Sequence, residues 1–530
     1  MKFDILIIGG GISGLYTAYQ IIERTSSPNL TIGILEASNK CGGRVSTYYD
    51  MKHHISYEEG AGRFNDKHIL LMKLLKDLKL LKYRKPLDSS QNTILITDAF
   101  NKAKLAQYSA IRRQFSSVDD IIDKIRGEVK KRKLSREHLV SLNLLELAEQ
   151  MIPEYPNISK YIVDNSAYFS ELEYLNSACA LDIFSSEFNQ HVQYYALQGG
   201  LSQIIKALVD KLNKAGVKIM LNARCSNIEW NSANSGNSRG WWNLEIDGRA
   251  GILECSQLVL ACPKESLVLF NILKPVKPLL NAITSQPFYR VYAKYPKNSD
   301  GTYWFSGKTI TNLNIKFIIP IDGEHGIIMI SYIDGKFAKY WQNLRITDGE
   351  SAFMAELSRE LAQIFPDVEI PAPTWIRHYY WAYGSGYWRV GYDPNQLIPR
   401  IIQPLADGRP LYICGDNYSN HQAWMEGALE TGEMVVSEII RINLLGSVGG
   451  GAKKTYTLAE VAKHNKKSDA WIVIHKKVYD ITKWIPIHPG GMVILKGVGK
   501  DATELFESIG HDSYARKMLA KYKIGNLLQN

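Results

Sequence analysis

The chain has 530 residues, 45% of them hydrophobic and 22% charged, which is the composition of a soluble globular protein with two or three domains. The net charge is +10, and no apolar run reaches the roughly 18–20 residues that a membrane span requires. The six cysteines are scattered without a CxxC pair, which argues against a disulfide framework or a zinc site and fits a reducing compartment. We therefore expect a cytoplasmic protein, and no motif indicates nucleic-acid binding.

The first 36 residues predict a βαβ unit around a glycine-rich turn. Apolar residues 3–9 and 30–36 are typical of two short strands, with a helix at about 12–25 between them. Small residues in such a turn let the backbone approach a pyrophosphate, which the N–H groups at the helix N-terminus then bind. An acidic residue at the end of the second strand accepts a hydrogen bond from a ribose hydroxyl. The residues in these positions are Gly9, Gly11, Ser13, Gly14 and Glu36.

Further along the chain, helical and strand patterns alternate. Residues 119–150 show apolar spacings of three and four, which predicts helix. Residues 255–263 predict a buried strand, and residues 310–333 alternate as in a sheet. Residues 424–443 predict another helix with a glycine near its start. The glycines that follow, in LLGSVGGGAKKTY, predict a flexible linker.

Several separated segments carry a resemblance to one family. They are ASNKCGGRVST, ALQGGLSQIIKAL, LNARCSNIEW and LYICGDNYSNHQAWMEGALETGE. Together with the opening turn, these segments resemble the FAD-dependent amine oxidases, which include monoamine, polyamine and L-amino-acid oxidases. The resemblance covers residues 3–441 and implies a Rossmann-type FAD-binding domain interleaved with a substrate domain. It implies non-covalent FAD, because no cysteine lies near Gly386 to form the link of the monoamine oxidases.

The resemblance also implies which residues contact FAD. In that family the GGR segment lies along the flavin with its arginine near the phosphates, and a charge-assisted Arg–phosphate pair is strong. The closing strand and helix approach the flavin, and the LNARC strand flanks the adenine. Beyond the opening turn, the implied contacts are Gly43, Arg44, Gly60, Ala61, Gly62, Arg63, Cys225, Gly415, Asp416, Met425 and Ala428.

Four oxidase residues are expected to carry chemistry. Trp424 precedes the MEGA segment, where the family has an aromatic residue facing the flavin, and Trp388 is expected to form the second wall of an aromatic cage that excludes water. Arg63 lies where L-amino-acid oxidases bind the substrate carboxylate, and its alternative partner is the flavin or a structural carboxylate. Arg290 stands where the family usually has a lysine near the flavin, which argues against fast reoxidation by O₂.

The C-terminal part carries two histidines, His488 and His511, 23 positions apart. The stretches VYDITKWIPIHPGG and DATELFESIGHDSYARKML resemble cytochrome b5, a small α+β domain. The resemblance implies haem b with both histidines as axial ligands, and such bis-imidazole ligation suits one-electron transfer. Residues 452–530 contain 14 Lys and Arg against 7 Asp and Glu. Solvated surface lysine is the favoured interpretation of this charge, and an acidic partner or an anionic surface is the alternative.

We therefore expect a multidomain protein of α/β and α+β class. The expected domains are the amine oxidase at 1–443, a glycine-rich linker at 444–454 and the cytochrome b5-like domain at 455–530. Within the oxidase, FAD-binding parts are expected at about 1–85, 190–290 and 400–443, and substrate-binding parts at about 86–189 and 291–399.

The expected activity is oxidation of a primary or secondary amine or an L-amino acid to an imine, which hydrolyses to aldehyde or keto acid plus ammonia. The electrons would pass to O₂, to the fused haem or to an external redox protein. Two alternatives stay open. The first is a related flavin enzyme that acts on C–C bonds, such as a desaturase or protoporphyrinogen oxidase. The second is a low-activity flavoprotein whose haem module serves docking or redox sensing.

Overall fold

The computed structural model describes residues 1–25, 29–52, 55–87, 93–95, 102–188, 192–232, 240–447, 455–482, 484–485, 491–509, 519 and 522–528. The chain forms two compact units, residues 1–436 and 437–530, and the division falls inside a helix that begins at Met425. No helix within the described ranges is long and apolar enough to cross a bilayer.

The described α-helices are α1 (Ile12–Arg24), α2 (Ile69–Asp77), α3 (Lys102–Gln114), α4 (Val118–Arg132), α5 (Arg136–Val140), α6 (Leu144–Met151), α7 (Ile158–Asp164), α8 (Ser170–Glu173), α9 (Ser177–Ser186), α10 (Ser202–Lys214), α11 (Lys264–Leu267), α12 (Lys277–Leu280), α13 (Gly335–Ile364), α14 (Pro394–Ile402), α15 (Met425–Ser447), α16 (Leu458–Val461) and α17 (Thr503–Ser508). The predicted helical stretch 119–150 is divided into α4, α5 and α6. Ser117 and Asn143 cap α4 and α6 through capping boxes, and Lys133 ends α4 in the left-handed conformation.

The described strands are β1 (Lys2–Ile8), β2 (Ile32–Leu35), β3 (Thr47–Asp50), β4 (Ile55–Glu58), β5 (Phe64–Asn65), β6 (Arg84–Pro86), β7 (Thr93–Leu95), β8 (Tyr194–Leu197), β9 (Lys218–Met220), β10 (Cys225–Asn231), β11 (Trp241–Ile246), β12 (Ile252–Leu260), β13 (Ile283–Lys294), β14 (Thr309–Thr311), β15 (Phe317–Asp322), β16 (Ile327–Asp334), β17 (Trp375–Trp388), β18 (Leu411–Ile413), β19 (Thr455–Tyr456), β20 (Asn465–Lys466), β21 (Asp469–Ile474), β22 (Lys477–Asp480) and β23 (Lys523–Leu527).

The first unit contains a seven-stranded sheet that carries the opening turn. Its order is β10-β11-β12-β1-β2-β9, and β18 pairs with β12. β1 runs parallel to both β2 and β12, with α1 between β1 and β2, so the predicted βαβ unit is confirmed. Ile5, Leu6 and Ile7 are fully buried, because both faces of a parallel strand are covered by other elements. This sheet places the carboxyl ends of β1 and β2 beside one another.

The same unit contains a second large sheet, of six strands. Its order is β17-β13-β16-β15-β14-β7, and α13 packs against β13 and β16. The core between helix and sheet includes Tyr289, Trp341 and Phe353, each almost fully buried. The pairing of β13 with β17 shifts register between Gln286 and Phe288, at Pro287, which has no N–H to donate.

The second unit is built on a five-stranded sheet of order β19-β23-β22-β21-β20. Its core contains Ile472, Ile474 and Ile481. The ring of His464 stacks on Trp471 at 3.6 Å between centroids. The predicted haem ligands His488 and His511 lie outside the described residues.

Candidate functional site

The glycine turn after β1 is shaped by close backbone packing. A Cβ on Gly14 would lie 2.1 Å from the carbonyl oxygen of Gly9, and one on Gly9 would lie 2.3 Å from the carbonyl oxygen of Ala261. Gly9 also has φ +113°, a conformation that favours glycine. Nothing lies within 4 Å of the Cβ position of Gly11, which faces an open cavity. Two glycines therefore permit the tight turn, and the third leaves space for a ligand.

The GGR segment lies directly beside this turn. The backbone N–H of Gly42 donates to the carbonyl of Gly10 at 2.9 Å. The guanidinium of Arg44 donates to the carboxylate of Asp416 and, at 2.9 Å, to the carbonyl of Gly384. Two residues that the sequence implies as FAD contacts, 372 positions apart, thus form an ion pair in the wall of one cavity.

The cavity has a volume of about 2590 Å³. All the predicted oxidase site residues line this cavity, including Ser13 and Cys225, with two exceptions. The exceptions are Gly14 and Trp388. Gly14 acts through packing. The hydroxyl of Ser13 donates to the carbonyl of Ala428 at 3.0 Å, which joins α1 to the start of α15.

These residues fit a bound dinucleotide. The space beside Gly11 lies at the N-terminus of α1, where N–H groups can bind a pyrophosphate. The carboxylate of Glu36 accepts hydrogen bonds from the N–H groups of Gly10 and Ser38, each at 2.8 Å, and also faces the cavity. Glu36 is therefore held in place with acceptor capacity left for a ribose hydroxyl.

Arg290 is held against the segment that contains Gly60 and Gly62. It is 8% exposed, and its Nη1 donates to the carbonyl of Glu58 at 2.9 Å. A Cβ on Gly62 would lie 3.2 Å from the same guanidinium, a tight contact that a shift of the arginine side chain by a few tenths of an ångström would have to relieve. Burial raises the pKa of Glu58 to about 7, although Leu201 N–H and the Thr47 hydroxyl donate to its carboxylate.

Trp424 forms an aromatic wall together with neighbours that the sequence did not indicate. Tyr194 is parallel to it at 6.1 Å, and His68 meets its ring edge-on at 5.0 Å. His68 is buried, and its Nε2 lies 3.0 Å from the carboxylate of Glu187. This buried pair supports the face of Trp424 that the His68 ring contacts.

Trp388 is not in the cavity wall, and its predicted place there requires correction. It is fully buried, and its indole N–H donates to the carbonyl of Ser419 at 2.8 Å. Trp381 of the same strand lines the cavity instead, and its indole N–H donates to the carbonyl of Glu59 at 2.8 Å. Residues 380–385 all line the cavity, and the register of β17 on β13 shifts within this segment, so Trp381 meets the cavity and Trp388 lies beyond the lining segment.

Arg63 projects into the cavity beside Trp424. Its guanidinium carbon lies 4.3 Å from the ring centre of Tyr194 and 5.7 Å from that of Trp424, and it donates to the hydroxyl of Tyr168. Within the described part of the chain, no carboxylate lies within 4 Å of Arg63. The predicted alternative of a structural carboxylate is therefore not seen among these residues, and the cation is available to a ligand.

Sequence reasoning missed Tyr168, Glu171, Tyr194 and Trp381, all of which line the cavity. Tyr194 stands just before the ALQGG segment, which could have indicated it. Trp381 could have been chosen over Trp388 only with knowledge of which segment of the strand borders the cavity. Glu171 lies in the four-residue helix α8 and has no motif around it.

Comparison with known families gives two matches. A family model described as flavin containing amine oxidoreductase matches residues 12–440, and one described as a cytochrome b5-like heme/steroid binding domain matches residues 457–528. The first implies FAD and the second implies haem.

Among curated relatives, cytochrome b5 of Drosophila melanogaster is 53% identical over 78 residues, 14% of this chain and 58% of that protein. Cytochrome b5 of Rhizopus stolonifer is 57% identical over 75 residues, again 14% of this chain and 57% of that protein. An acyl-lipid (8-3)-desaturase of Physcomitrium patens is 47% identical over 102 residues, 19% of this chain and 21% of the desaturase. The chain thus covers 58% or less of each of these relatives.

Solved structures share the fold at low identity. Putrescine oxidase bound to putrescine aligns with a TM-score of 0.57 at 15% identity, over 83% of this chain and 99% of that one. A protein assigned as a protoporphyrinogen oxidase from Exiguobacterium sp. 255-15 aligns with a TM-score of 0.59 at 17% identity, over 82% and 98% of the two chains.

Proposed function

This chain belongs to the flavin-containing amine oxidoreductase family and carries a C-terminal cytochrome b5 domain, and from that premise we propose that it oxidises a primary or secondary amine or an L-amino acid. The carbon beside the nitrogen loses a hydride and the nitrogen loses a proton as the C=N bond forms. Water then hydrolyses the imine to an aldehyde or keto acid plus ammonia, or plus a primary amine where the substrate is a secondary amine. When bound, FAD supplies the two-electron acceptor. The observation that carries the proposal is the position of Trp424 and Arg63 in the same cavity as the dinucleotide turn.

The cavity wall supports chemistry on an uncharged amine. Trp424, Tyr194 and Trp381 present apolar rings that exclude water from a substrate beside them. The positive charge of Arg63, 5.7 Å from the Trp424 ring, lowers the pKa of an amine held near that ring. The neutral form, which can release hydride from carbon, is therefore favoured there.

Arg63 is the proposed partner of a substrate carboxylate. Its planar guanidinium can bind a carboxylate bidentately, and no described carboxylate already occupies it. Arg63→Ala should abolish flavin bleaching by amino acids, whereas its effect on simple amines should be limited to the loss of the charge that favours their neutral form. Arg63→Lys is the matched control, because lysine keeps the positive charge but cannot bind a carboxylate bidentately. Equal loss with both substrate classes would contradict the carboxylate role.

The electrons are proposed to reach O₂ or the haem of the C-terminal domain, with His488 and His511 as its axial ligands. The glycines at 449–451 are the proposed tether, which keeps the haem at high effective concentration. Arg290 supports the haem route, since a buried arginine that binds the carbonyl of Glu58 cannot act as the family's lysine does toward O₂. Anaerobic reduction by an amine, followed at the haem Soret and α bands, tests this route. A haem that stays oxidised would favour a docking or sensing role.

A second candidate is oxidation of a C–C bond in an apolar substrate. It is favoured by the size of the cavity and by an apolar part of its wall, which is made of Leu87, Ile94, Ile310, Phe317, Ile319 and Ile321. A panel of monoamines, polyamines and amino acids, each tested for flavin bleaching without O₂, separates the two. If no amine reduces the flavin, the C–C candidate replaces the amine proposal.

A further inference from the structure

One face of the six-stranded sheet lines the cavity with side chains that the proposed function does not use. Arg290 of β13 is the register partner of Tyr332 in β16, and the ring of Tyr332 lies 6.2 Å from that of Phe317 in β15. Phe317 is the partner of Ile310 in β14, and Ile310 is the partner of Ile94 in β7. Directly paired residues lie on the same face of a sheet, and all five residues line the cavity. We call the four residues from Tyr332 to Ile94 the apolar row.

The inner end of the apolar row lies beside the proposed reaction site. Arg63, the proposed carboxylate partner, donates to the hydroxyl of Tyr168. Tyr168 packs with Tyr332 against the cluster that contains Ile310 and Phe317. A substrate held at Arg63 therefore has the apolar row directly beside it.

The outer end of the apolar row is open to solvent. Phe317 is only 4% exposed, whereas Ile94 is 39% exposed. Ile319 and Ile321 follow Phe317 on β15 at a spacing of two, so they share its face, and both line the cavity. Ile321 is 37% exposed. Large apolar side chains that stay exposed along a cavity mark a surface that a ligand covers.

The length of this face indicates an extended ligand. Four strand spacings of about 4.8 Å separate β13 from β7, which gives a distance of about 19 Å. The cavity volume of about 2590 Å³ exceeds the roughly 300–1,000 Å³ of an ordinary ligand pocket, so it has room for a dinucleotide and for a second long ligand. A short amine or a single aromatic ring would cover only the inner end of the row, whereas an unbranched hydrocarbon chain would cover all of it.

We propose that the apolar row binds the hydrocarbon chain of the substrate, so that the preferred substrates are amines or amino acids with a long, unbranched alkyl chain. The chain would cover Ile319, Ile321 and Ile94 and remove their apolar surface from water, which favours binding. The inference rests on the proposed amine oxidation and specifies its substrate class. The cross-strand register from Tyr332 to Ile94 carries it.

The test compares butylamine, heptylamine and dodecylamine, each below its micelle concentration. The measured quantity is the second-order rate constant of flavin reduction without O₂ in the full-length protein. We expect this constant to rise roughly two- to fourfold for each added methylene, as for a methylene group that is partly or fully buried. The matched amine is 2-(2-methoxyethoxy)ethylamine, which has the chain length of heptylamine with two methylenes replaced by ether oxygens. It should react on the order of tenfold more slowly than heptylamine.

Two variants place a polar group at different depths of this face. Ile319→Asn should reduce the gain with chain length for both heptylamine and dodecylamine, whereas Ile94→Asn, at the outer end, should reduce it for dodecylamine alone. Ile346→Asn is the matched control, because Ile346 is a 69% exposed residue of α13 that does not line the cavity. If Ile319→Asn does not fold, Ile94→Asn decides, since its side chain is already partly in solvent.

The outcomes separate two failures. If the amines reduce the flavin at rates that do not rise with chain length, or if the rise persists in both cavity variants, the hydrocarbon site is wrong while amine oxidation stands. If no amine reduces the flavin, the proposed amine oxidation is wrong. The relative affinities of dodecanoate and butanoate, measured by the change in flavin absorbance on binding, then decide the hydrocarbon site. Tighter binding of dodecanoate that Ile319→Asn or Ile94→Asn weakens would support the site, and equal affinities would refute it.

Discussion

Replacing Trp388 with phenylalanine tests whether this side chain is structural. The indole N–H donates to the carbonyl of Ser419 at 2.8 Å, and the ring is fully buried. Losing that bond leaves a buried carbonyl without its donor, at about 1–3 kcal/mol. The space left by the smaller ring adds roughly 1–2 kcal/mol. We therefore expect Trp388→Phe to destabilise the oxidase unit by about 2–5 kcal/mol.

The assay is the temperature at which FAD is released on heating, followed by flavin fluorescence. At roughly 2 °C per kcal/mol for a domain of this size, the expected fall is about 4–10 °C. The rate of flavin reduction by amine in the folded variant should stay within about twofold. Trp424→Phe should show the reverse, with little loss of stability and at least a tenfold lower rate. If Trp388→Phe slowed reduction as much as Trp424→Phe without lowering the release temperature, the assignment of Trp388 to the core would be refuted.

Three further predictions concern other parts of the chain. Gly14→Ala should give protein without bound flavin, because the added Cβ would lie 2.1 Å from a main-chain carbonyl oxygen. Gly11→Ala has open space at its Cβ, so it should fold and bind FAD more weakly. Flavin absorbance and thermal unfolding measure both effects. Burial lowers the pKa of His421, but its hydrogen bond to Glu430 and the charge of that residue outweigh burial and raise the pKa from 6.5 to about 9. The stabilisation of the fold by the His421–Glu430 pair should be complete below about pH 6.5 and lost as the pH rises through about 9. The unfolding temperature of His421→Gln should therefore lack this dependence on pH. His488→Ala should remove the haem bands and leave the flavin spectrum, and haem retained at wild-type level would exclude His488 as a ligand.

The cofactor side of the site could be predicted because its signals are local. The spacing of Gly9, Gly11 and Gly14 after an apolar strand fixes a turn whose geometry depends on neighbours within the same segment and on β12. The position of Glu36 follows from the length of β2 alone. The family resemblance then supplied Arg44 and Asp416, although their mutual ion pair is visible only in three dimensions.

The substrate side was harder because it depends on which segment of a strand borders the cavity. Trp381 and Trp388 are both aromatic residues in one run, and only the packing of β17 on β13 decides which one meets the cavity. No sequence pattern indicates that Glu171 is buried, since a single acidic residue in a short helix is usually predicted to be exposed to solvent. Its burial comes from Tyr387 and from β16, more than 150 residues away along the chain.

The cavity is closed by contacts between the two ends of the oxidase. Ser13 meets Ala428, Tyr16 donates to Glu433, and Arg44 pairs with Asp416. During synthesis the N-terminal βαβ unit leaves the ribosome long before these partners exist. The dinucleotide turn therefore lacks these contacts until residue 433 has been synthesised. Tight binding of the flavin is then a late step, which follows completion of the whole oxidase unit.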